Sequence, residues 1–217
     1  MPKVNKKEAE ELLYWAKRTY SAKMVPATSG NISIYNDKEI LLSASGICLG
    51  DMETKDIAIL DGKRNAEGCI TGAVLNNIKP SSEKLMHIKI YEKRPDIKAV
   101  IHIHCPYVTS FAVCRKEMNE PILPEFIYNF NSIPSAKYAL PSSMELADEI
   151  SKYFEAGNSA VLMENHGLVA GAKTLKETFY ILESIQAYAK TYFAAKFLGE
   201  IQTLNEEEVL KIKNLKG

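Results

Sequence analysis

Four histidines, His87, His102, His104 and His166, are the side chains in this sequence with the most chemical potential. Two of them fall in residues 99–104 (A-V-I-H-I-H), an apolar, β-branched run that reads as a strand. Side chains alternate across a strand, so His102 and His104 share a face, about 6.5–7 Å apart along the chain. Two imidazoles at that spacing can bind one zinc ion, although two solvent-facing histidines on an edge strand would look the same. His166 follows a second strand-like run, residues 159–164, in the sequence E-N-H-G. Gly167 there allows a sharp turn and a close backbone approach. Reacting groups collect at such strand ends. Three neutral imidazoles leave a fourth position open, as catalytic zinc requires. The competing reading of His166 is a turn histidine bonded to its own backbone.

Glu83 is the carboxylate that fits this set. It ends K-P-S-S-E at the entry to a helix over residues 82–93. An acid in a first turn commonly complements the helix dipole and nothing more. Beside a metal it can act as ligand or general base. His87, four residues on and on the same helical face, reads as a packed or hydrogen-bonded support for Glu83. Cys105 should point to the strand face opposite His104 and is not assigned to the metal. Small polar clusters at residues 28–33 (T-S-G-N-I-S) and 43–46 (S-A-S-G), with Ser81 and Ser82, offer hydroxyls, an amide and flexible backbone. A helix N-terminus such as the one after Ser82 favours an anion. Together these clusters suggest a phosphorylated substrate at a metal.

The elements that must position these residues are legible in outline. A first helix over residues 5–23 carries an apolar stripe and an Asn5/Glu8 capping-box pattern. Strands are expected at 31–35, 39–43 and 57–60, with a turn at Asn36-Asp37. A helix should cover 106–114. Another should open at S-S-M-E (142–145) with a capping box, and T-L-K-E (174–177) should open a long helix ending near Gly199. A last short helix is expected over 205–213. Strands and helices mix without a linker, which points to one α/β domain over residues 1–217.

Composition narrows the class. The chain has 217 residues, 46% of them hydrophobic and 25% charged, so it can build a core and is neither disordered nor fibrous as a whole. Its 27 basic and 27 acidic residues leave no global field to attract nucleic acid or an anionic membrane. No apolar run is long enough to span a bilayer, and residues 1–7 lack the apolar core of a signal peptide. Cys48, Cys69, Cys105 and Cys114 form no C-x-x-C pair. The expectation is a cytoplasmic protein with reduced thiols.

Taken in order, S-G-N-I-S (29–33), S-A-S-G (43–46), K-P-S-S-E (79–83), H-I-H (102–104) and N-H-G-L (165–168) resemble the class II aldolase/adducin family. The resemblance spans most of the chain. It implies an α/β three-layer sandwich, with a central, largely antiparallel sheet flanked by helices. It implies a homotetramer with active sites between subunits. His102, His104 and His166 would hold one Zn²⁺ per chain, and Glu83 would be the acid/base and an additional ligand. Asn31, Ser45, Gly46, Ser81 and Ser82 would hold the substrate phosphate. A tyrosine of the neighbouring subunit would assist proton transfer to the aldehyde, and Tyr128, four residues after Pro124, is the candidate. The family's aldolases use a further tyrosine in the C-terminal tail, and no tyrosine follows Tyr192 here. The implied reaction is reversible cleavage of a ketose 1-phosphate into dihydroxyacetone phosphate and a short aldehyde. Pentulose 5-phosphate 4-epimerases of the family carry aspartate where this chain has Glu83. Sugar-phosphate dehydratases and decarboxylases, and a non-catalytic adducin-like interaction module, stay open at this stage.

Overall fold

Asn5 caps the first helix, α1 (Lys6–Ser21), by accepting from the Lys7 and Glu8 amides. The expected capping box is only half built, because the Glu8 carboxylate accepts from Asn36 Nδ2 at 3.1 Å to each oxygen. This contact ties α1 to the turn of the first hairpin. The computed structural model describes residues 5–216. Met1 to Val4, part of the segment read as lacking a signal peptide, lie outside them with Gly217.

The hairpin pairs β1 (Asn31–Tyr35) with β2 (Glu39–Ser43), and β3 (Ile57–Asp61) extends it. The chain then runs through α2 (Lys84–Lys93), β4 (Ala99–Ile103), α3 (Pro106–Val113), α4 (Pro124–Asn129) and β5 (Ser135–Ala136). It continues with α5 (Met144–Glu155), β6 (Ala160–Met163), β7 (Gly167–Ala172), α6 (Leu175–Leu198) and α7 (Glu206–Lys213). Among the described residues seven strands form one sheet, in the order β3-β2-β1-β4-β7-β6-β5. All neighbours are antiparallel except β5 and β6.

Alternation along these strands builds two cores. Ile32, Ile101, Ile103, Leu168 and Ala170 face a cluster shared with Leu12, Trp15, Phe111, Phe179 and Tyr188 of α1, α3 and α6. Val100, Val161 and Val169 face the other cluster, with Ile88, Tyr91, Leu146 and Phe154 of α2 and α5. Helices therefore cover both faces, and the expected three-layer arrangement is the observed one. Among the described residues no helix is long and apolar enough to cross a membrane. All four cysteines are free thiols.

Several local readings need correction. The helix expected from residue 82 begins at Lys84, with Glu83 in the N-cap position. α5 is capped by Ser143, whose hydroxyl accepts from the Leu146 amide, so Glu145 closes no box. Ser142 instead takes a left-handed conformation, with φ of 69°. α4 and β7 were not expected. α4 is short, and Phe126 on it stacks on Tyr188 with ring centroids 4.0 Å apart. β7 reads G-L-V-A-G-A, and its glycines answer to neighbouring strands rather than to β-propensity.

Two glycines let three strands close around the end of β4. A Cβ at Gly167 would lie 2.4 Å from the Ile103 carbonyl oxygen and 3.1 Å from Cε1 of His102. A Cβ at Gly30, whose φ is +75°, would lie 2.8 Å from the His102 carbonyl oxygen and 2.4 Å from Cγ1 of Val25. The sharp turn assigned to Gly167 is carried by Asn165, whose φ is 54°. Gly167→Ala should therefore force β7 away from β4 and cost about 1–3 kcal/mol, the usual range for an overpacked core. Urea denaturation measures this, and an unchanged midpoint would show that the strands have slack.

Candidate active site

The four residues at the end of β4 are brought together from three parts of the chain. His102 lies on β4, fully buried, on the sheet face that meets α2 and α5. His104 follows the strand end, its amide bonded to the Met24 carbonyl. His166 precedes β7, and Glu83 stands at the head of α2. The three ring centroids are 4.5, 4.9 and 5.0 Å apart. One ligand atom from each imidazole lies within 4.8 Å of the others. Among the described residues this trio is the group of that kind that could hold a metal ion.

The proton positions on His102 follow from its neighbours. Its Nδ1 lies 3.0 Å from the Leu168 carbonyl oxygen, which can only accept, so Nδ1 carries the hydrogen. Burial, reinforced by His166, holds the ring well below the ordinary histidine pKa, so it is neutral and Nε2 is bare. That lone pair faces Glu83 Oε2 at 3.2 Å and His104 Nε2 at 2.7 Å. His104 is likewise pushed down to about 3 by burial and by the two neighbouring imidazoles. On the other side, His166 Nε2 stands 3.3 Å from Glu83 Oε1.

These atoms fit a divalent cation. Lone pairs of His102 and Glu83 point at each other, which is repulsive unless positive charge sits between them. Glu83 is only 7% exposed, and its Oε1 has no hydrogen-bond partner. A buried carboxylate oxygen left in that state is costly without a cation. The neutral His102 ring with its bare Nε2 is the kind of donor zinc takes, and its Nδ1–H bond to Leu168 orients the ring as outer-sphere partners do.

Behind Glu83 lies a buried polar row. Asn31 Nδ2 donates to Glu83 Oε2 at 2.9 Å. The Asn31 carbonyl oxygen accepts from His87 Nε2. His87 Nδ1 lies 2.7 Å from Ser33 Oγ, and Ser33 Oγ lies 2.6 Å from the Tyr91 hydroxyl. Burial pushes the His87 pKa down to about 4, so this ring too is neutral at neutral pH. The expected support of Glu83 by His87 thus exists, but it passes through Asn31. Both ends of the Asn31 amide are occupied in this way.

In front of Glu83 opens a cavity of about 230 Å³ lined by Thr28, Ser29, Gly30, Asn31, Ala44, Ser45, Gly46, Ser81, Ser82, Glu83, His104, Pro141, Ser142 and His166. Every residue expected at the phosphate is therefore on this wall. Ser45, Gly46 and Ser82 are exposed, whereas Ser81 is buried and its hydroxyl accepts from the Glu83 amide at 3.3 Å. No lysine or arginine is among the lining residues, so an anion would meet hydroxyls, backbone N–H groups and the positive end of α2. Tyr128 lies on α4, partly exposed, and does not line this cavity. Sequence reasoning missed Pro141 and Ser142 because the Pro-Ser-Ser run was spent on a helix cap. It also missed Tyr91, and it took Ser33 as one of the hydroxyls of the 28–33 cluster and not as part of the row behind Glu83. Their signals were present as spacing: Ser33 is two residues from Asn31 on β1, and Tyr91 is four from His87 on α2.

Comparison with known proteins agrees with this geometry. Residues 10–193 match the model of the Class II Aldolase and Adducin N-terminal domain. A 5-deoxy-D-ribulose 1-phosphate aldolase of Bacillus thuringiensis serovar kurstaki is 34% identical over 208 residues, 94% of this chain and 92% of that protein. A 3-oxo-tetronate 4-phosphate decarboxylase of Haemophilus influenzae is 28% identical over 192 residues, 86% of each chain. Among solved structures, an L-fuculose 1-phosphate aldolase superposes with a TM-score of 0.85 at 30% identity, covering 98% of this chain and 97% of its own. With its motifs gathered around one cavity and the family model spanning most of its length, this chain belongs to the class II aldolase and adducin N-terminal domain family.

Proposed function

We propose that this protein is a zinc-dependent aldolase that reversibly cleaves a ketose 1-phosphate, of the L-fuculose or 5-deoxyribulose type, into dihydroxyacetone phosphate and a short aldehyde. The observation that carries this reading is the buried Glu83 carboxylate set among three imidazoles beside a serine-lined cavity. The substrates named for the two aldolase relatives are both ketose 1-phosphates, which supports the substrate class.

His102, His104 and His166 would hold the metal, with Glu83 as a further ligand before substrate enters. When bound, the ion supplies Lewis-acid stabilisation for negative charge developing beside the ketose carbonyl. Ser45, Gly46, Ser81 and Ser82 anchor the phosphate, and Asn31 lines the same wall while holding Glu83. Binding energy from this unreactive end is thereby converted into orientation of the reacting carbons. In the condensation direction Glu83 takes a proton from carbon 3 of dihydroxyacetone phosphate, and in cleavage it returns that proton. Tyr128 would serve the aldehyde end of a neighbouring protomer's site in a homotetramer, consistent with its place on α4 away from the cavity of its own chain.

A decarboxylase acting on a 3-oxo acid phosphate would use the same metal and anchor, and the Haemophilus influenzae relative makes it the second reading. Release of carbon dioxide against release of aldehyde, measured on both substrate types, separates them. A non-catalytic interaction module has no need of a complete histidine trio, a buried carboxylate and an orphaned oxygen in one place.

Three measurements test the assignment. His166→Ala should lose most of its zinc by elemental analysis and most of its turnover while keeping a native circular dichroism spectrum. Stoichiometric zinc with normal turnover in that variant would remove His166 from the site. Glu83→Gln should keep zinc on the histidines yet slow both cleavage and exchange of the dihydroxyacetone phosphate proton with deuterated water, by about 10²–10⁴-fold for a lost acid/base. Exchange at the wild-type rate would assign the proton to another group. Finally, Ser45→Ala with Ser82→Ala should raise KM about tenfold with little change in kcat, as expected for two lost hydrogen bonds to a remote anchor. An unchanged KM would put the phosphate elsewhere.

A further inference from the structure

The reading of Glu83 as the base leaves open which of its two oxygens moves the proton and what holds it in place. The buried row behind it answers both. Ser33, His87 and Tyr91 are fully inaccessible, so water cannot substitute for them, and Asn31, at the cavity end of the row, is 4% exposed. The direction of every bond follows from the end at Glu83. A carboxylate accepts, so Asn31 presents its NH₂ to Oε2 and its carbonyl oxygen to His87. That oxygen can only accept, so His87 carries its hydrogen on Nε2. Its ring is neutral, so Nδ1 is bare and must accept from the Ser33 hydroxyl. Ser33, having donated, accepts from Tyr91, whose own oxygen is bonded by the Val100 backbone.

We propose that Tyr91, Ser33, His87 and Asn31 form a one-way hydrogen-bond chain that pins Oε2 of Glu83 and thereby leaves Oε1 as the oxygen that exchanges the substrate proton. Oε1 is the carboxylate atom without a hydrogen-bond partner, 3.3 Å from His166 Nε2, and it is available to substrate once Glu83 no longer serves as a ligand. The chain is a positioning device and not a proton conduit, because its far end at Tyr91 is sealed in the core between α2 and the sheet. The arrangement also prevents the Asn31 amide from flipping. A flipped amide would set its oxygen against the carboxylate and its NH₂ against the Nε2 hydrogen of His87.

This proposal rests on Glu83 being the base, and the test separates the two. In zinc-loaded, ¹⁵N-labelled protein, His87 should show the Nε2–H tautomer, with Nδ1 unprotonated. An Nδ1–H tautomer would overturn the chain. In kinetics, His87→Leu keeps bulk but breaks both bonds. Proton exchange on dihydroxyacetone phosphate, per zinc-loaded site, should fall by about 30-fold with zinc content and KM unchanged. His87→Gln can place an amide NH₂ where Nε2 lies, and exchange should return to within about fivefold of wild type, a rescue that mere packing would not give. Wild-type exchange in a folded His87→Leu variant, while Glu83→Gln is inactive, would refute the chain and leave the base intact. Wild-type exchange in Glu83→Gln would refute the base reading and the chain with it. Should His87→Leu fail to fold, Ser33→Ala, which removes the link one step back, decides by the same exchange assay together with the tautomer.

Discussion

A carboxylate buried against the bare Nε2 of a neutral histidine, with two more imidazoles beside it, is the interaction to which the rest of the molecule is adjusted. Left alone, this cluster is electrostatically unbalanced, since burial keeps the His102 and His104 rings uncharged and the described residues lining the cavity include no lysine or arginine. Holding it together requires the sheet to be rigid where β1, β4 and β7 meet. Two glycines permit that closeness, and two hydrophobic layers clamp the strands from either side. The stability of the fold is thus spent in part on keeping in register a set of atoms that would otherwise move apart.

The sheet topology explains how residues so distant in sequence converge. Asn31 and His102 are register partners across β1 and β4, and Val169 sits opposite His102 on β7. The central position of β4 therefore places His102 between a strand that brings the amide for Glu83 and a strand that begins just after His166. Glu83 arrives from a different layer. Ser81 bonds by its amide to the Ser43 carbonyl, so the entry to α2 is anchored to the end of β2 before the helix starts. Each contributor is thus delivered by an element end, where backbone geometry can vary without disturbing the cores.

How much of this could be read from the sequence depends on the range of the interaction. β1, β2 and the long helix after Thr174 are set by local alternation, capping and turns, and they lie where these signals put them. The histidine trio was legible because two members are a strand pair and the third adjoins a glycine turn. β7 was not, because Gly167 and Gly171 are required by Ile103, Ala99 and Ile97 on other elements, and nothing local in G-L-V-A-G-A announces a central strand. Ser142 and Ser143 show the same limit at a finer scale. Either could cap α5 by residue type; Ser143 does, while Ser142 takes the left-handed conformation. Asn31 was placed at the anion by its company of small polar residues. Its amide also bonds Glu83 and His87, which lie 52 and 56 residues away.

The cavity wall built from hydroxyls and backbone, without a single cationic side chain, has a consequence for encounter rather than for turnover. Neutral donors act only at contact range, and the chain as a whole has equal numbers of acidic and basic residues. The lining side chains therefore add no long-range attraction for an anion, and what would reach beyond contact is the positive end of α2 and the charge of a cation on the histidine trio, screened over about 8 Å at physiological ionic strength. Any dependence of anion capture on salt would thus trace to that cation and to the helix end, and not to the lining side chains.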